Sequence, residues 1–152
     1  DFENTSTKIV FDLINKFFKN SVNVNIFIKP HPVTKLNSKD LPKIKYQLIN
    51  KPLEDIFPNI DFVITGSFSS AAVDAWCYSL PVISILNTEL INLSPLHELK
   101  GAYFVKGELD LVEAINKIIS NNKVYNDSNK FFYFGRDLKN WISLINLEKN
   151  KI

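Results

Sequence analysis

Apolar residues recur along this chain in two patterns, at helical spacing and in short unbroken runs. Helical spacing predicts an amphipathic helix over residues 5–18 and another over 108–119. Short apolar runs bounded by turn residues are typical of strands buried in a parallel sheet. They cover residues 62–64, 80–85 and 102–105; a strand is also predicted over 24–28, and residues 44–49 alternate enough to form another. About five strands are therefore predicted, and the strand over 44–49 is expected near an edge of the sheet.

Three further helices are predicted between and after these runs. A short one covers residues 52–57 and has Pro52 in its first turn, where a missing N–H is tolerated. Another follows Gly66 and opens at the run 67–70, Ser-Phe-Ser-Ser. An aromatic-rich helix over 131–147 comes last. We expect its aromatic side chains to pack across the sheet, and the alternative is an exposed docking surface.

The alternation of helices and strands predicts an α/β fold, because crossover helices connect parallel strands with right-handed turns. We expect a Rossmann-like, three-layer arrangement with one parallel sheet of about five strands and helices on both faces. The 152 residues suit one domain spanning 1–152. Because no strand precedes the first helix and the chain lacks methionine, we expect it to be a segment of a larger two-domain protein.

Composition and charge exclude several classes of function. A net charge of +2 gives no bulk attraction for nucleic acid. The single cysteine, Cys77, excludes a disulfide framework and a cysteine-rich zinc site, and its apolar surroundings predict a buried, inert thiol. No histidine pair has metal-ligand spacing, so neither a metal nor a cofactor is predicted. No apolar run reaches the ~20 residues of a membrane span, and we expect a cytoplasmic protein.

The turn after the third predicted strand is the first candidate site. Gly66 lies where the strand must turn, and Ser67, Ser69 and Ser70 follow at the start of a helix. Serine oxygens often accept the unpaired first N–H groups of a helix. The same N–H groups and the helix dipole favour a phosphate. The turn is thus predicted to hold the phosphate of a nucleotide, and the alternative is an ordinary capped helix.

The run 29–32, Lys-Pro-His-Pro, is the second candidate site. It follows the first predicted strand, and two prolines leave His31 little conformational freedom. Ligands of open α/β sheets bind at the carboxyl ends of the strands, where His31 is expected. Lys29 adds a positive charge that suits a phosphate. The alternative is a histidine with no functional role.

Two other segments carry candidate side chains. Asp74 is the one charged residue of an otherwise apolar helix, and it either faces solvent or points toward a ribose. The long connection after residue 85 contains Glu89, Ser94 and His97, and long loops inside compact domains are often functional or mobile. The acidic pair at 54–55 falls in a first helical turn, where acids favour the helix dipole.

These motifs together resemble those of a known family. The Lys-Pro-His-Pro run and the serine turn resemble the motifs of the C-terminal, nucleotide-binding domain of GT-B glycosyltransferases, with the likeness covering residues 24–105. The closer likeness is to bacterial enzymes of surface and capsular carbohydrate synthesis that carry an HP motif, such as sialyl-, polysialyl- and Kdo-transferases. Here the HP motif is His31-Pro32 and the serine motif is Ser69-Ser70.

The resemblance implies a function and a set of roles. The chain is similar to the donor-binding half of a glycosyltransferase, and the donor is expected to be a CMP-type nucleotide sugar. His31 is implied as the catalytic group, and Asp74 takes the place of a glutamate that usually contacts ribose. The predicted nucleotide-binding set is Lys29, His31, Pro32, Gly66, Ser67, Ser69, Ser70, Asp74 and Glu89.

The resemblance also implies partners that lie outside this segment. An N-terminal acceptor domain would supply the general base, so the isolated segment is expected to be inactive. A lipid-linked acceptor is one such expected partner, and it would place the full-length protein at the inner face of the membrane. Two alternatives remain: a nucleotide-sugar 2-epimerase or glycerophosphotransferase-like domain, and a non-catalytic scaffold module of the same architecture.

Overall fold

The fold is given by a computed structural model, which describes residues 2–19, 23–31, 41–120 and 139–149. Helices and strands alternate along most of these residues. The helices are α1 (Phe2–Phe18), α2 (Leu53–Ile56), α3 (Ser70–Cys77), α4 (Glu108–Ser120) and α5 (Lys139–Lys149), and a 3-10 turn (Phe57–Asn59) follows α2. The strands are β1 (Phe27–Ile28), β2 (Gln47–Leu48), β3 (Val63–Gly66), β4 (Val82–Ile85) and β5 (Ala102–Val105). The predicted α/β class is confirmed.

The strands form two parallel sheets, so the prediction of one sheet of about five strands is wrong. The larger sheet has the order β3-β4-β5, and the smaller consists of β1 and β2. Among the described residues, β1 and β3 each have a strand partner on one side only. The small sheet is joined by Gln47 N–H to the Ile26 carbonyl and Ile49 N–H to the Ile28 carbonyl, both at 2.9 Å. Each strand of the small sheet has two residues, so the hydrogen-bonded ladder between them is short.

One apolar cluster lies between the large sheet and helices α1 and α4. Side chains that alternate along β4 bring Ile83 and Ile85 to this face, where they are almost fully buried. Phe11 and Ile14 of α1 and Leu111 of α4 pack in the same cluster. Ile28 of the small sheet also packs against this cluster, so the cluster contacts both sheets.

A second cluster covers the other face of the large sheet. Ala75 and Trp76 of α3 pack there with Val82 of β4 and Leu96 of the following connection. Trp76 is additionally fixed by its Nε1–H group, which donates to the Lys100 carbonyl at 2.9 Å. Helices therefore contact both faces of the three-stranded sheet.

The buried face of α4 is narrower than its apolar pattern suggests. Leu111, Ala114, Ile115 and Ile118 are buried, one helical turn apart, as expected for a face that contacts β5 and α1. Three apolar positions of the predicted helix point elsewhere and are exposed. They are Leu109, Val112 and Ile119.

Helix α3 ends in a Schellman motif. Leu80 N–H donates to the Ala75 carbonyl at 3.0 Å, and Ser79 N–H donates to the Trp76 carbonyl at 2.9 Å. The motif requires a left-handed residue, which is Ser79 with a φ of 66°. Glycine is favoured at this position because it has no Cβ to clash.

Three apolar side chains of the last described helix are exposed to solvent. Trp141, Ile142 and Ile145 of α5 are all more than half exposed, so the expectation that the aromatic residues pack across the sheet is wrong for Trp141. The other predicted aromatic positions, residues 131–134, lie outside the described residues. Over the part of the chain that the structure describes, no helix is long and apolar enough to cross a membrane.

Replacing Leu111 with alanine should lower the free energy of unfolding by about 2–5 kcal/mol, because a fully buried side chain would leave a cavity. Leu109→Ala on the same helix is the matched control. Its side chain is 85% exposed, and the change should stay within about 0.5 kcal/mol. Urea denaturation followed by circular dichroism measures both, and equal effects would contradict the assignment of the buried face.

Replacing Ser79 with glycine should raise the free energy of unfolding by about 0.5–1 kcal/mol. Removal of the Cβ relieves the left-handed conformation, and this gain exceeds the entropy that glycine adds to the unfolded chain. Ser70→Gly is the control, since Ser70 is already in helical conformation and gains nothing. A Ser79→Gly protein no more stable than the unmodified chain would argue against this helix end.

Candidate functional site

An open cavity of about 1590 Å³ is lined by β1 and the residues after it, by β3, and by the start of α3. Residues of α1 contribute a further, mainly apolar part of the lining. Ligand pockets commonly measure about 300–1,000 Å³, so the cavity has room for a ligand as large as a nucleotide sugar. Its lining includes five residues of the predicted set. They are Lys29, His31, Gly66, Ser69 and Ser70.

Charge is distributed unevenly along the cavity. Lys29 and His31 follow the carboxyl end of β1, and both side chains are exposed. The acidic residue of the described lining, Asp61, precedes the amino end of β3. Lys29 offers a positive charge after β1, and the start of α3 offers unpaired N–H groups after β3, so each of these two parts of the lining suits a negatively charged group.

The serines at the start of α3 do not cap it as predicted. Ser69 is the N-cap residue, with an extended backbone (φ −96°, ψ 122°), and its side chain makes no capping hydrogen bond. Its carbonyl instead accepts from Ala72 N–H at 3.1 Å, which closes a tight first turn. The first N–H groups of a helix have no partner within the helix. The Ser69 hydroxyl does not act as a partner for these N–H groups, so this hydroxyl is available to a ligand in the cavity.

Ser67 holds the turn in place and does not line the cavity. Its hydroxyl donates to the Ile85 carbonyl at 3.1 Å and accepts from Asn87 N–H at 3.3 Å. Both partners lie at the carboxyl end of β4, so one side chain ties the β3–α3 turn to the neighbouring strand. We call this pair of hydrogen bonds the Ser67 clip.

Gly66 ends β3 without a left-handed backbone. A Cβ added there would meet its nearest atom, Val10 Cγ2 of α1, at 3.9 Å, which is an ordinary contact. The strand turns after Gly66, but neither backbone conformation nor crowding requires a glycine at this position. Its contribution to a ligand would be confined to main-chain groups.

Three other predicted residues are placed elsewhere or not described. Asp74 is exposed on α3, and Glu89 is exposed in the connection after β4; neither lines the cavity. The Glu89 N–H donates to the Asn87 side-chain oxygen at 3.0 Å, which forms an Asx turn. Pro32 lies outside the described residues.

The long connection after β4 is a folded segment built from short side-chain turns. Ser94 N–H donates to the Asn92 side-chain oxygen at 3.0 Å, and the Ser94 hydroxyl accepts from Leu96 N–H at 3.3 Å. Leu96 is fully buried and anchors the segment in the core. His97 next to it is exposed, lies 3.9 Å from the Glu98 carboxylate, and does not line the cavity.

The Cys77 thiol is in a setting that suppresses its reactivity. Burial raises its pKa above the ordinary value, and the negative charge of Asp74 raises it further. A raised pKa keeps the sulfur as the protonated thiol at neutral pH, and the thiolate is the nucleophilic form. Cys77 is only half-buried, so the predicted burial is incomplete, and its inertness stays a prediction that the raised pKa supports.

Two features of the site were missed in the sequence. Thr65 and Ser84 are buried neighbours on β3 and β4, with hydroxyl oxygens 3.5 Å apart, and Thr65 lines the cavity. Their signal was a hydroxyl residue directly after the run 62–64 and another inside the run 80–85. Phe68 lines the cavity although 54% of its surface is exposed, and its signal was an aromatic residue between two serines.

Replacing Ser67 with alanine should lower the free energy of unfolding by about 1–3 kcal/mol. The change leaves the Ile85 carbonyl and the Asn87 N–H, both of them partly buried, without the hydroxyl. Ser70→Ala is the control, because its exposed hydroxyl makes no hydrogen bond with the described residues, and it should change stability by less than about 0.5 kcal/mol. Thermal denaturation compares the two, and an equal effect would remove the Ser67 clip as a stabilising element.

Within the described ranges, no group of three or more His, Cys, Asp or Glu residues could hold a metal ion. Comparison of the chain with protein-family models, with curated proteins and with solved structures found no match in any of the three. The case for a function therefore rests on the cavity and on the side chains that line it.

Proposed function

We propose that this chain is a Rossmann-like donor-binding domain of a bacterial glycosyltransferase, and that its cavity binds a nucleotide sugar of the CMP type. One observation carries the proposal. A single cavity is lined by Lys29 and His31 after β1 and by Ser69 and Ser70 at the start of α3. Two segments far apart in the sequence thereby offer positive charge, an imidazole and hydroxyls to one ligand.

The proposed chemistry is inverting transfer of the sugar to an acceptor hydroxyl. As the bond between sugar and phosphate breaks, negative charge develops on the leaving phosphate. His31 and Lys29 would stabilise this charge by hydrogen bonding and by charge. Ser69, Ser70 and the first N–H groups of α3 would complete the phosphate site.

This assignment leaves the activation of the acceptor to another part of the protein. A general base must remove the proton of the acceptor hydroxyl, and the proposal assigns it to a separate acceptor domain. Surface polysaccharide synthesis on a lipid-linked acceptor would then place the complete enzyme at the inner face of the membrane. The chain alone should bind the donor without transferring sugar.

The test is a titration of the chain with CMP, CDP and UDP, followed by amide chemical shifts. Saturable CMP binding is expected, and His31→Ala should weaken it about tenfold or more, because a hydrogen bond to a charged group contributes ~1.5–3 kcal/mol. His97→Ala is the matched control. It removes the other histidine, which lies outside the cavity, and should leave the Kd within about twofold.

Other outcomes identify the competing functions. Preference for UDP would favour a nucleotide-sugar 2-epimerase, and preference for CDP would favour a glycerophosphotransferase-like domain. No response to any nucleotide would favour a scaffold module. Equal loss of CMP binding in the His31 and His97 variants would remove His31 from the proposed site.

A further inference from the structure

Phe68 is an aromatic side chain in an unusual position. It lies in the turn between β3 and α3, more than half exposed, and it lines the same cavity as His31 and Ser69. Single exposed apolar residues are common on protein surfaces and need no explanation. What distinguishes Phe68 is its place beside the proposed phosphate site.

The turn holds Phe68 in a fixed position. On one side, the Ser67 clip ties the chain to the end of β4. On the other side, Ser69 begins α3 and its carbonyl is bonded to Ala72 N–H. A residue between two fixed neighbours loses little conformational freedom when a ligand binds, so it offers a pre-organised surface.

The neighbouring groups indicate what this surface would contact. A phosphate at the start of α3 would be joined directly to the ribose of a nucleotide and, in a nucleotide sugar, also to the transferred sugar. An exposed aromatic side chain can stack on any nucleotide base, because every base has a π face. The apolar C–H face of a sugar ring can pack on an aromatic side chain in the same way.

We propose that Phe68 is the ring-stacking surface of the cavity and packs against a ring of the bound nucleotide sugar, either the base or the transferred sugar. This rests on the proposed function, since it requires a phosphate-bearing ligand at the start of α3. Phe68 would then contribute to affinity and selectivity, while the phosphate contacts fix the position of the ligand.

The experiment compares the unmodified chain with three Phe68 variants in their affinity for three ligands. The proteins are the unmodified chain, Phe68→Ala, Phe68→Leu and Phe68→Trp, and the ligands are ribose 5-phosphate, CMP and CMP-sialic acid. Leu93→Ala, which shortens an exposed side chain outside the cavity, is the matched control. Because Phe68 is exposed, its variants should keep the melting temperature of the unmodified chain.

If the base stacks on Phe68, Phe68→Ala should weaken CMP binding about tenfold to a hundredfold and leave ribose 5-phosphate unchanged, as expected from the ~1–3 kcal/mol of base stacking. Phe68→Leu should be intermediate, and Phe68→Trp should bind at least as well as phenylalanine. If the transferred sugar packs there, only CMP-sialic acid binding should weaken.

Two results would overturn the inference, and they can be told apart. If Phe68→Ala binds CMP and CMP-sialic acid as tightly as the unmodified chain while His31→Ala weakens both, Phe68 is not a stacking surface and the proposed nucleotide site stands. If the unmodified chain binds none of the three ligands, the proposed function and this inference both fail.

Discussion

The pairing of β4 with a parallel strand on each side is the constraint on which the described fold depends. All four of its residues are buried, and its register with β3 and β5 is continuous. Alternate side chains enter the two apolar clusters, so one strand fixes both helical layers. Because the strands run parallel, their carboxyl ends lie at one edge. The Ser67 clip uses that edge to position the start of α3.

Most of this architecture could be predicted because it is encoded in local apolar patterns. The run 102–105 and the helical spacing after residue 108 match β5 and α4 closely. The division into two sheets could not be predicted in the same way. Whether β1 pairs with β3 depends on contacts between residues far apart in the sequence. An apolar run predicts a strand, but it does not predict which strand lies next to it. Phe27 and Leu48 in the small sheet are exposed, which shows that an apolar run does not guarantee burial.

The sequence predicted which segments line the site better than it predicted the roles of individual side chains. Lys29 and His31 follow the end of β1, Ser69 follows the end of β3, and all three line one cavity although the two strands belong to different sheets. The sequence did not predict the direction of each serine hydroxyl, because a serine can cap a helix, bind a ligand or hydrogen-bond to a neighbouring strand. The left-handed Ser79 was also hidden, since the usual signal for such a helix end is glycine.

Consecutive residues of the turn 66–70 have different roles. The Ser67 hydroxyl points back to the end of β4, whereas Phe68 and the two following serines line the cavity. A side chain that is bonded to the scaffold on one side lets its neighbours face a ligand without first becoming ordered, which lowers the entropic cost of binding. Ser67, one of the three serines predicted to bind a phosphate, is thus the one that holds the others in position. A loss of binding in a Ser67 variant would accordingly be an indirect effect of a displaced turn, distinct from the loss of a direct contact at Ser69 or Ser70.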